Sequence, residues 1–376
     1  MTYTKNSTPL SIHIVECLHK TFKGEIVSIG KKIILLSLAV TTVSVMAGDK
    51  VKWKMATTWG DGLVPIITAS KNVAKYVEQM SDGKFTIRVD SSNKHKAPMG
   101  IFDMVKGGQY QMGHTTSYFW KGKDINLMPL TTMPFGMTAP ERMAWVEFGG
   151  GQEFADRAHA KYGLLSFSGG NTGNQMGGWF KKEIKSAEDL KGLRMRIPGF
   201  AGEVISKLGV AVTNIPPGEL YTSLDRGTID ALEWIGPGMD IAMGFHKVAP
   251  YYYTGWHEPG AEAQFLVNKK AFEKLNDTNK AILKNAMKLA AYNMYLEFYH
   301  MNSEGWAKMK SEYPHIKVRT FSKEIMDKLR AANDELVEKY SKQSPLFKEI
   351  IESQRAYMKK SREWTIMSDL DYIQGK

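Results

Sequence analysis

Apolar and polar residues alternate at period two along Val51–Thr57 (VKWKMAT), with Val51, Trp53 and Met55 on one face, which predicts an opening strand. Trp59-Gly60-Asp61-Gly62 reads as a loop. Leu63–Met80 then takes helical spacing through Ile66, Ile67, Val73, Val77 and Met80. A turn at Ser81-Asp82-Gly83-Lys84 leads into a second strand over Phe85–Val89. A helix over Met99–Lys106 stops at Gly107-Gly108, and a third short strand spans Gln111–Thr115. This β-α-β-α-β order predicts a parallel α/β layer. Ligands sit beyond the carboxyl ends of the strands in such layers, which points to the loops Thr57–Gly62, Asn93–Pro98 and Thr115–Trp120. The last carries Tyr118, Phe119 and Trp120, a run that reads as core packing or as a pocket wall.

A helix over Thr138–Gly149, with Thr138 as N-cap, and a strand over Gly163–Gly169 come next. They lead into Asn171–Gly199, NTGNQMGGWFKKEIKSAEDLKGLRMRIPG. Its Gly-rich opening presents Asn174 and Gln175, MGGWF reads as a strand or strand edge, and Lys181–Asp189 is a polar turn. Leu193, Met195 and Ile197 alternate with Arg194 and Arg196, so a half-buried strand carries both arginines on one face until Pro198 stops it. That face is either solvated, or it aims an arginine into a cleft as a bidentate carboxylate clamp. The period does not choose between Arg194 and Arg196.

A helix over Gly202–Lys207, a strand over Gly209–Ile215, a helix over Pro217–Gly227 and a short strand over Ile229–Trp234 repeat the first pattern. Two similar α/β domains are therefore expected. Thr278–Glu312 forms a long helix with Ile282, Met287, Ala290, Met294 and Phe298 on one stripe. Val318–Thr320 is a last strand, and Ser322–Ser341 and Ser344–Asp369 are amphipathic helices.

Composition adds an address. Lys31 and Lys32 precede the apolar run Ile33–Ala47, which is shorter than the roughly 20 residues a membrane span needs, so residues 1–47 read as an export signal cut near Ala47. The single cysteine, Cys17, lies ahead of that cut, and the mature chain carries no disulfide, thiolate metal site or cysteine nucleophile. Removing these residues lowers the net charge from +11 to about +8, with 45 basic against 37 acidic side chains. The lysines are interleaved with acids and form no basic stripe with stacking aromatics, which argues against nucleic acid as a partner.

The chain is poorly equipped as an enzyme. It has no HExxH, no phosphate-binding loop, no GxSxG elbow and no GxGxxG after a strand. What remains is a set of polar groups at strand ends: Gln175, Arg196, Glu233 and, in the loop GWHEPG, Glu258. Each alone has an ordinary explanation as a surface group or a backbone partner.

Together, however, the motifs resemble a known family. DLKGLRMRIPG (Asp189–Gly199), NTGNQMGGWF (Asn171–Phe180), GTIDALEWIGP (Gly227–Pro237) and YYYTGWHEPG (Tyr251–Gly260) make residues 50–370 similar to the extracytoplasmic solute-binding proteins of tripartite ATP-independent periplasmic (TRAP) transporters. The chain looks especially like the subgroup that binds 2-oxo and 2-hydroxy monocarboxylates of the pyruvate and lactate class. The resemblance implies a periplasmic, non-enzymatic subunit that captures such a carboxylate and delivers it to membrane subunits. It implies Arg196 as the carboxylate clamp. It further implies a Ca²⁺ or Na⁺ bridging ligand and protein, held by Gln175, Glu233, the Trp234 backbone and Glu258. Tyr118 and Asn174 join Gln175, Trp234 and Arg196 as ligand contacts, with Trp59 and Phe135 behind them. Charge counting agrees with a cation. Two carboxylates and an anionic ligand against one arginine leave about −2 in a partly dehydrated cleft, and all-oxygen donors suit hard cations.

The implied fold is a two-domain α/β clamshell with a long spine helix and an added C-terminal helix. Residues 48–172 with 262–300 would form the first domain and 173–261 with 301–343 the second, leaving 344–376 as a C-terminal helix for homodimerisation. Two other functions fit the same residues: a ligand sensor serving a receptor, and an exported enzyme using Glu233 or Glu258 as base.

Overall fold

The computed structural model describes residues 50–375. The export signal, its cut near Ala47 and Cys17 lie outside the described residues. The described residues form one compact unit.

The described residues build two mixed sheets from β1 (Val51–Thr57), β2 (Phe85–Asp90), β3 (Met112–Thr115), β4 (Leu164–Asn171), β5 (Gly178–Phe180), β6 (Arg194–Arg196), β7 (Ala211–Thr213), β8 (Ala231–Leu232), β9 (Tyr251–Tyr253), β10 (Glu262–Asn268) and β11 (Lys317–Arg319). The first sheet runs β2-β1-β3-β10-β4 and the second β11-β9-β5-β8-β6-β7. Both contain the same parallel trio, in which the first strand lies between the second and the third. The two β-α-β-α-β sets expected from the sequence are these trios.

The sheets as a whole are not parallel. β10 runs antiparallel between β3 and β4, and β5 runs antiparallel between β8 and β9. β10 gave no period to read because six of its seven residues are buried, as befits a central strand covered on both faces. β9 is a run of three tyrosines. The expected strand over Ile229–Trp234 shortens to Ala231–Leu232, so Glu233 and Trp234 leave the ladder just beyond its end.

The two inserted strands trade places between the halves of the chain. β4 of the first sheet leads into β5 of the second, and β9 of the second leads into β10 of the first. The backbone therefore crosses between sheets twice, at 172–177 and at 254–261. A third connection is the helix Asp277–Glu312, capped by the Asn276 side chain accepting from Asn279 N at 2.8 Å. It packs against the helix Ile66–Met80 and β4 on one side and the helix Pro237–Met243 on the other. Its buried stripe includes Met287, Ala290, Met294 and Phe298, as read from the sequence, with Leu283 in place of Ile282.

The last long helix, Pro345–Thr365, buries Phe347, Ile350, Ile351 and Gln354 against its own chain. Trp145 donates to Ser353 Oγ at 3.1 Å, and Gln354 donates to the Pro129 carbonyl at 2.7 Å. Trp364, Ile366, Met367, Tyr372 and Ile373, at its far end, are exposed.

Gly305 lets the long helix approach its neighbour. A Cβ there would stand 2.5 Å from Gly238 N. Gly305→Ala gains about 1 kcal/mol of helix propensity, but the overlap with rigid backbone costs about 1–3 kcal/mol. The expected net result in chemical denaturation is a loss of stability; a more stable variant would show that the helices are not in contact there.

Candidate functional site

The two crossing segments lie against each other. Thr172 N donates to Ala261 O at 3.1 Å, Gln175 N to Glu258 O at 2.9 Å and Gly177 N to Tyr253 O at 2.7 Å. Gly255 is required at this contact, since a Cβ would lie 1.9 Å from the Gln175 carbonyl oxygen. Gly178, at φ +116°, is held under the Leu232 carbonyl in a backbone region closed to other residues. The Gln175 and Glu258 side chains at this pairing are both buried.

Arg196 arrives from the carboxyl end of β6. It is 1% exposed and donates from Nη1 to Glu233 Oε1 at 2.6 Å and to the Glu233 carbonyl at 2.8 Å. Its Nε reaches the Ile215 carbonyl at 3.4 Å, and its guanidinium lies 5.6 Å from the Trp234 ring. Nη2 makes none of these bonds. Arg194, two residues earlier on the same face, is exposed instead and forks onto Asp230 at 2.6 and 2.9 Å. The strand's amino end holds one arginine in solvent, while its carboxyl end delivers the other into the buried interior.

Glu233, His257 and Glu258 each offer a ligand atom within 4.8 Å of the others, and all three are buried. Glu233 is gripped at both oxygens, by Arg196 and by His257 Nε2 at 3.0 Å. Glu258 Oε2 and Gln175 Oε1 are buried with no donor. Burial first, then the charge of Glu233, pushes the Glu258 carboxyl well above its usual range, against the pull of Arg196. Two buried oxygen acceptors without donors, one of them on the carboxyl that burial makes reluctant to ionise, fit a hard cation. His257 was missed in the sequence, although it stands next to Glu258 in GWHEPG.

A small cavity, with a volume of ≈ 20 Å³, opens beside this cluster, lined by Gln175, Arg196 and Trp234 together with Trp59, Tyr118 and Phe119. Ala261, Ala263 and Met294, none of them read from the sequence as a pocket residue, also line it. Burial, with Glu258 and Glu233 nearby, pushes the Tyr118 hydroxyl well up, so it stays protonated and able to donate. The Tyr118 ring packs over Gly199, where an added Cβ would meet it at 3.2 Å. Trp59 is fixed through its indole N–H, which donates to His114 Nδ1 at 3.2 Å.

Two expected contacts lie elsewhere. Asn174 is exposed, with its Oδ1 turned toward Gly255, and does not line the cavity. Phe135 lines a separate cleft against the helices Lys323–Gln343 and Pro345–Thr365, with the Arg330 guanidinium 4.0 Å above its ring.

Two sheets exchanging strands, with a small cavity and a cation-ready cluster where the chain crosses between them, form the fold and site of a solute-binding protein. The chain belongs to the DctP family, bacterial extracellular solute-binding protein family 7, whose model matches residues 55–343. This is a substrate-binding transport family of extracytoplasmic proteins. A monocarboxylate 2-oxoacid-binding periplasmic protein of Nostoc is 39% identical over 333 residues, 88% of this chain and 91% of that one. A TRAP periplasmic solute-binding protein from Colwellia psychrerythraea, solved with bound calcium and pyruvate, is 56% identical with a TM-score of 0.86, over 87% of this chain and all of that one. A counterpart from Pseudoalteromonas atlantica, solved with sodium and pyruvate, is 55% identical at the same TM-score and coverage of this chain, and is covered over its full length.

A cation held by Glu258 competes with its proton. The groups facing this carboxyl are Glu233, Arg196 and His257. Its raised pKa means that the metal-free protein keeps the proton to higher pH than an unfolded chain would. Ca²⁺ should therefore raise the melting temperature little near the ordinary glutamate pKa of 4.5 and progressively more as pH rises above it. Calorimetry with and without Ca²⁺ across pH tests this, and Glu258→Gln should remove the increment. A Ca²⁺ shift independent of pH would place the ion elsewhere.

Proposed function

We propose that the protein binds a small 2-oxo or 2-hydroxy monocarboxylate of the pyruvate and lactate class through Arg196 and a bridging Ca²⁺ or Na⁺, and delivers it to TRAP membrane subunits. The observation that carries this reading is the pairing of a buried arginine with donorless buried oxygens at one end of a small cavity. Arg196 Nη2 meets the ligand carboxylate as a charge-assisted donor. Gln175, Glu233, the Trp234 carbonyl and Glu258 hold the cation, which offsets the carboxylates' charge and gives the ligand's oxygens an electrophilic partner. Tyr118 donates from the opposite wall, and Trp59 and Phe119 limit ligand length. No turnover is part of this reading: capture and release of unchanged ligand suffice. The named 2-oxoacid-binding relative and the two pyruvate-bound neighbours support the ligand class, and the calcium in one and sodium in the other support either cation.

The two sheets serve as hinged lobes, 48–172 with 262–300 and 173–261 with 301–343, closing through bends at the crossings. Lys121 and Glu203, 2.9 Å apart, clasp the cleft mouth. Export removes residues 1–47 near Ala47 and places the protein in the periplasm. The exposed apolar end of the C-terminal helix serves homodimerisation.

Calorimetric titration of chelator-stripped protein should give micromolar binding of pyruvate or lactate in Ca²⁺ or Na⁺, about −8 kcal/mol, and recover the ligand unchanged. Arg196→Ala should weaken it by about 100-fold or more, as expected when one partner of a buried pair is lost. Arg194→Ala should change it less than about threefold, because its Asp230 pair is exposed. Absence of binding to any small carboxylate would overturn the reading. Separately, light scattering should show the dimer lost and ligand binding kept when the chain is cut after Glu363; an unchanged mass would exclude this segment from the interface.

A further inference from the structure

The geometry points to His257 as a positioning residue for the cation site: it fixes the plane of the Glu233 carboxylate from the second crossing and leaves the cation an all-oxygen cage. This inference rests on the cation-and-carboxylate reading above and adds a residue to it.

Glu233 follows the short strand β8, its N–H donating to the Arg196 carbonyl at 3.1 Å as the last backbone bond there. A carboxylate on a flexible stem turns freely about its terminal torsion, whose preference is broad. One donor pins one oxygen and leaves that rotation open, whereas two donors on opposite oxygens close it. Arg196 Nη1 holds Oε1 at 2.6 Å and His257 Nε2 holds Oε2 at 3.0 Å. The two donors come from different parts of the chain, β6 and the second crossing, so the carboxylate is fixed relative to both. His257 is fully buried, and its ring stands beside Trp256, whose carbonyl accepts from Phe135 N at 3.1 Å. The crossing that carries Glu258 thereby also sets Glu233.

The bond to Glu233 decides the chemistry of the ring. An ionised carboxylate only accepts, so Nε2 carries the hydrogen and has no lone pair to give a metal. Nδ1 is then the bare nitrogen, buried and without a partner. Within this cluster the buried oxygens without donors are those of Gln175 and Glu258. In a positioning role the histidine acts through Glu233 and keeps imidazole, a ligand suited to transition metals, out of the cage.

Side-chain reach separates the two nitrogens. The amide nitrogen of glutamine falls near the place of Nε2, and that of asparagine near the place of Nδ1. Calcium titrations of stripped His257→Gln, His257→Asn and His257→Phe, with pyruvate present, therefore read the role directly. Gln is expected within about threefold of wild type, and Asn and Phe about 10- to 100-fold weaker, the range for losing a group that orients a metal ligand. Long-range proton–nitrogen spectra of the calcium-loaded wild type should show His257 protonated at Nε2 with Nδ1 neither protonated nor coordinated. The inference is overturned if Gln is as weak as Phe, if Asn alone rescues, or if the spectra show a metal-bound nitrogen. Because Gln keeps the donor, it remains informative even where Phe does not fold. If the wild type binds neither calcium nor pyruvate, the functional reading fails; if the wild type binds and all three variants match it, only the role of His257 falls.

Discussion

Where the chain passes between its sheets, Gln175 N donates to the Glu258 carbonyl, and Gly255 comes so near the Gln175 carbonyl that no side chain fits between them. This backbone contact sets the site. It brings residues 83 positions apart into one cluster and buries their side chains. It also closes the space over the end of β6, where Arg196 emerges. In the second sheet the site follows the usual rule that ligands sit at the carboxyl ends of a parallel trio. The first sheet supplies the aromatic wall, from the loops after β1 and β3.

Burial turns this geometry into chemistry. Removing one partner from a buried ion pair costs about 3–5 kcal/mol, far more than a surface pair is worth. Arg196 and Glu233 are such a pair; Arg194 and Asp230, with comparable distances, are not. The Arg196–Glu233 pair is neutral overall, which leaves Glu258 as an uncompensated carboxylate in a dry site. Its upward shift in pKa expresses that imbalance, and a proton or a cation removes it. An anionic ligand adds to the imbalance and makes the cation more favourable still. Ligand and cation are thus expected to bind with positive coupling, each improving the electrostatics for the other.

Much of this was legible in the sequence where alternation or helical spacing exists. β1 appeared with its exact bounds, Thr138 capped its helix through a reciprocal bond with Glu141, and both trios were visible as β-α-β-α-β order. Of the inserted strands, β5 appeared within MGGWF as a strand or strand edge, but β10 was not visible, because it is buried on both faces and offers no period. The arginines show the limit of periodicity: residues two apart share a face, but which one lies under other elements depends on distant chain. Motif resemblance singled out Arg196, and the fold shows the physical difference. His257 escaped because a lone histidine in a loop carries no spacing signal; its role appears only once β6 and the second crossing meet.

Four long-range connections hold the halves together: the two crossings, the helix Asp277–Glu312 and the helix Pro345–Thr365. The last buries Phe347 and Ile351 among side chains of the second sheet's layer, including Phe200 and Leu336, and buries Ile350 one turn away among those of the first, including Trp145 and Leu266. A hinge between the lobes therefore cannot swing freely at that point without exposing apolar surface, at roughly 25 cal/mol per Å². The crossings can bend with smaller loss, because their contacts are mainly backbone hydrogen bonds beside glycines. An opening of the kind proposed above would therefore bend at the crossings and keep Phe347, Ile350 and Ile351 buried.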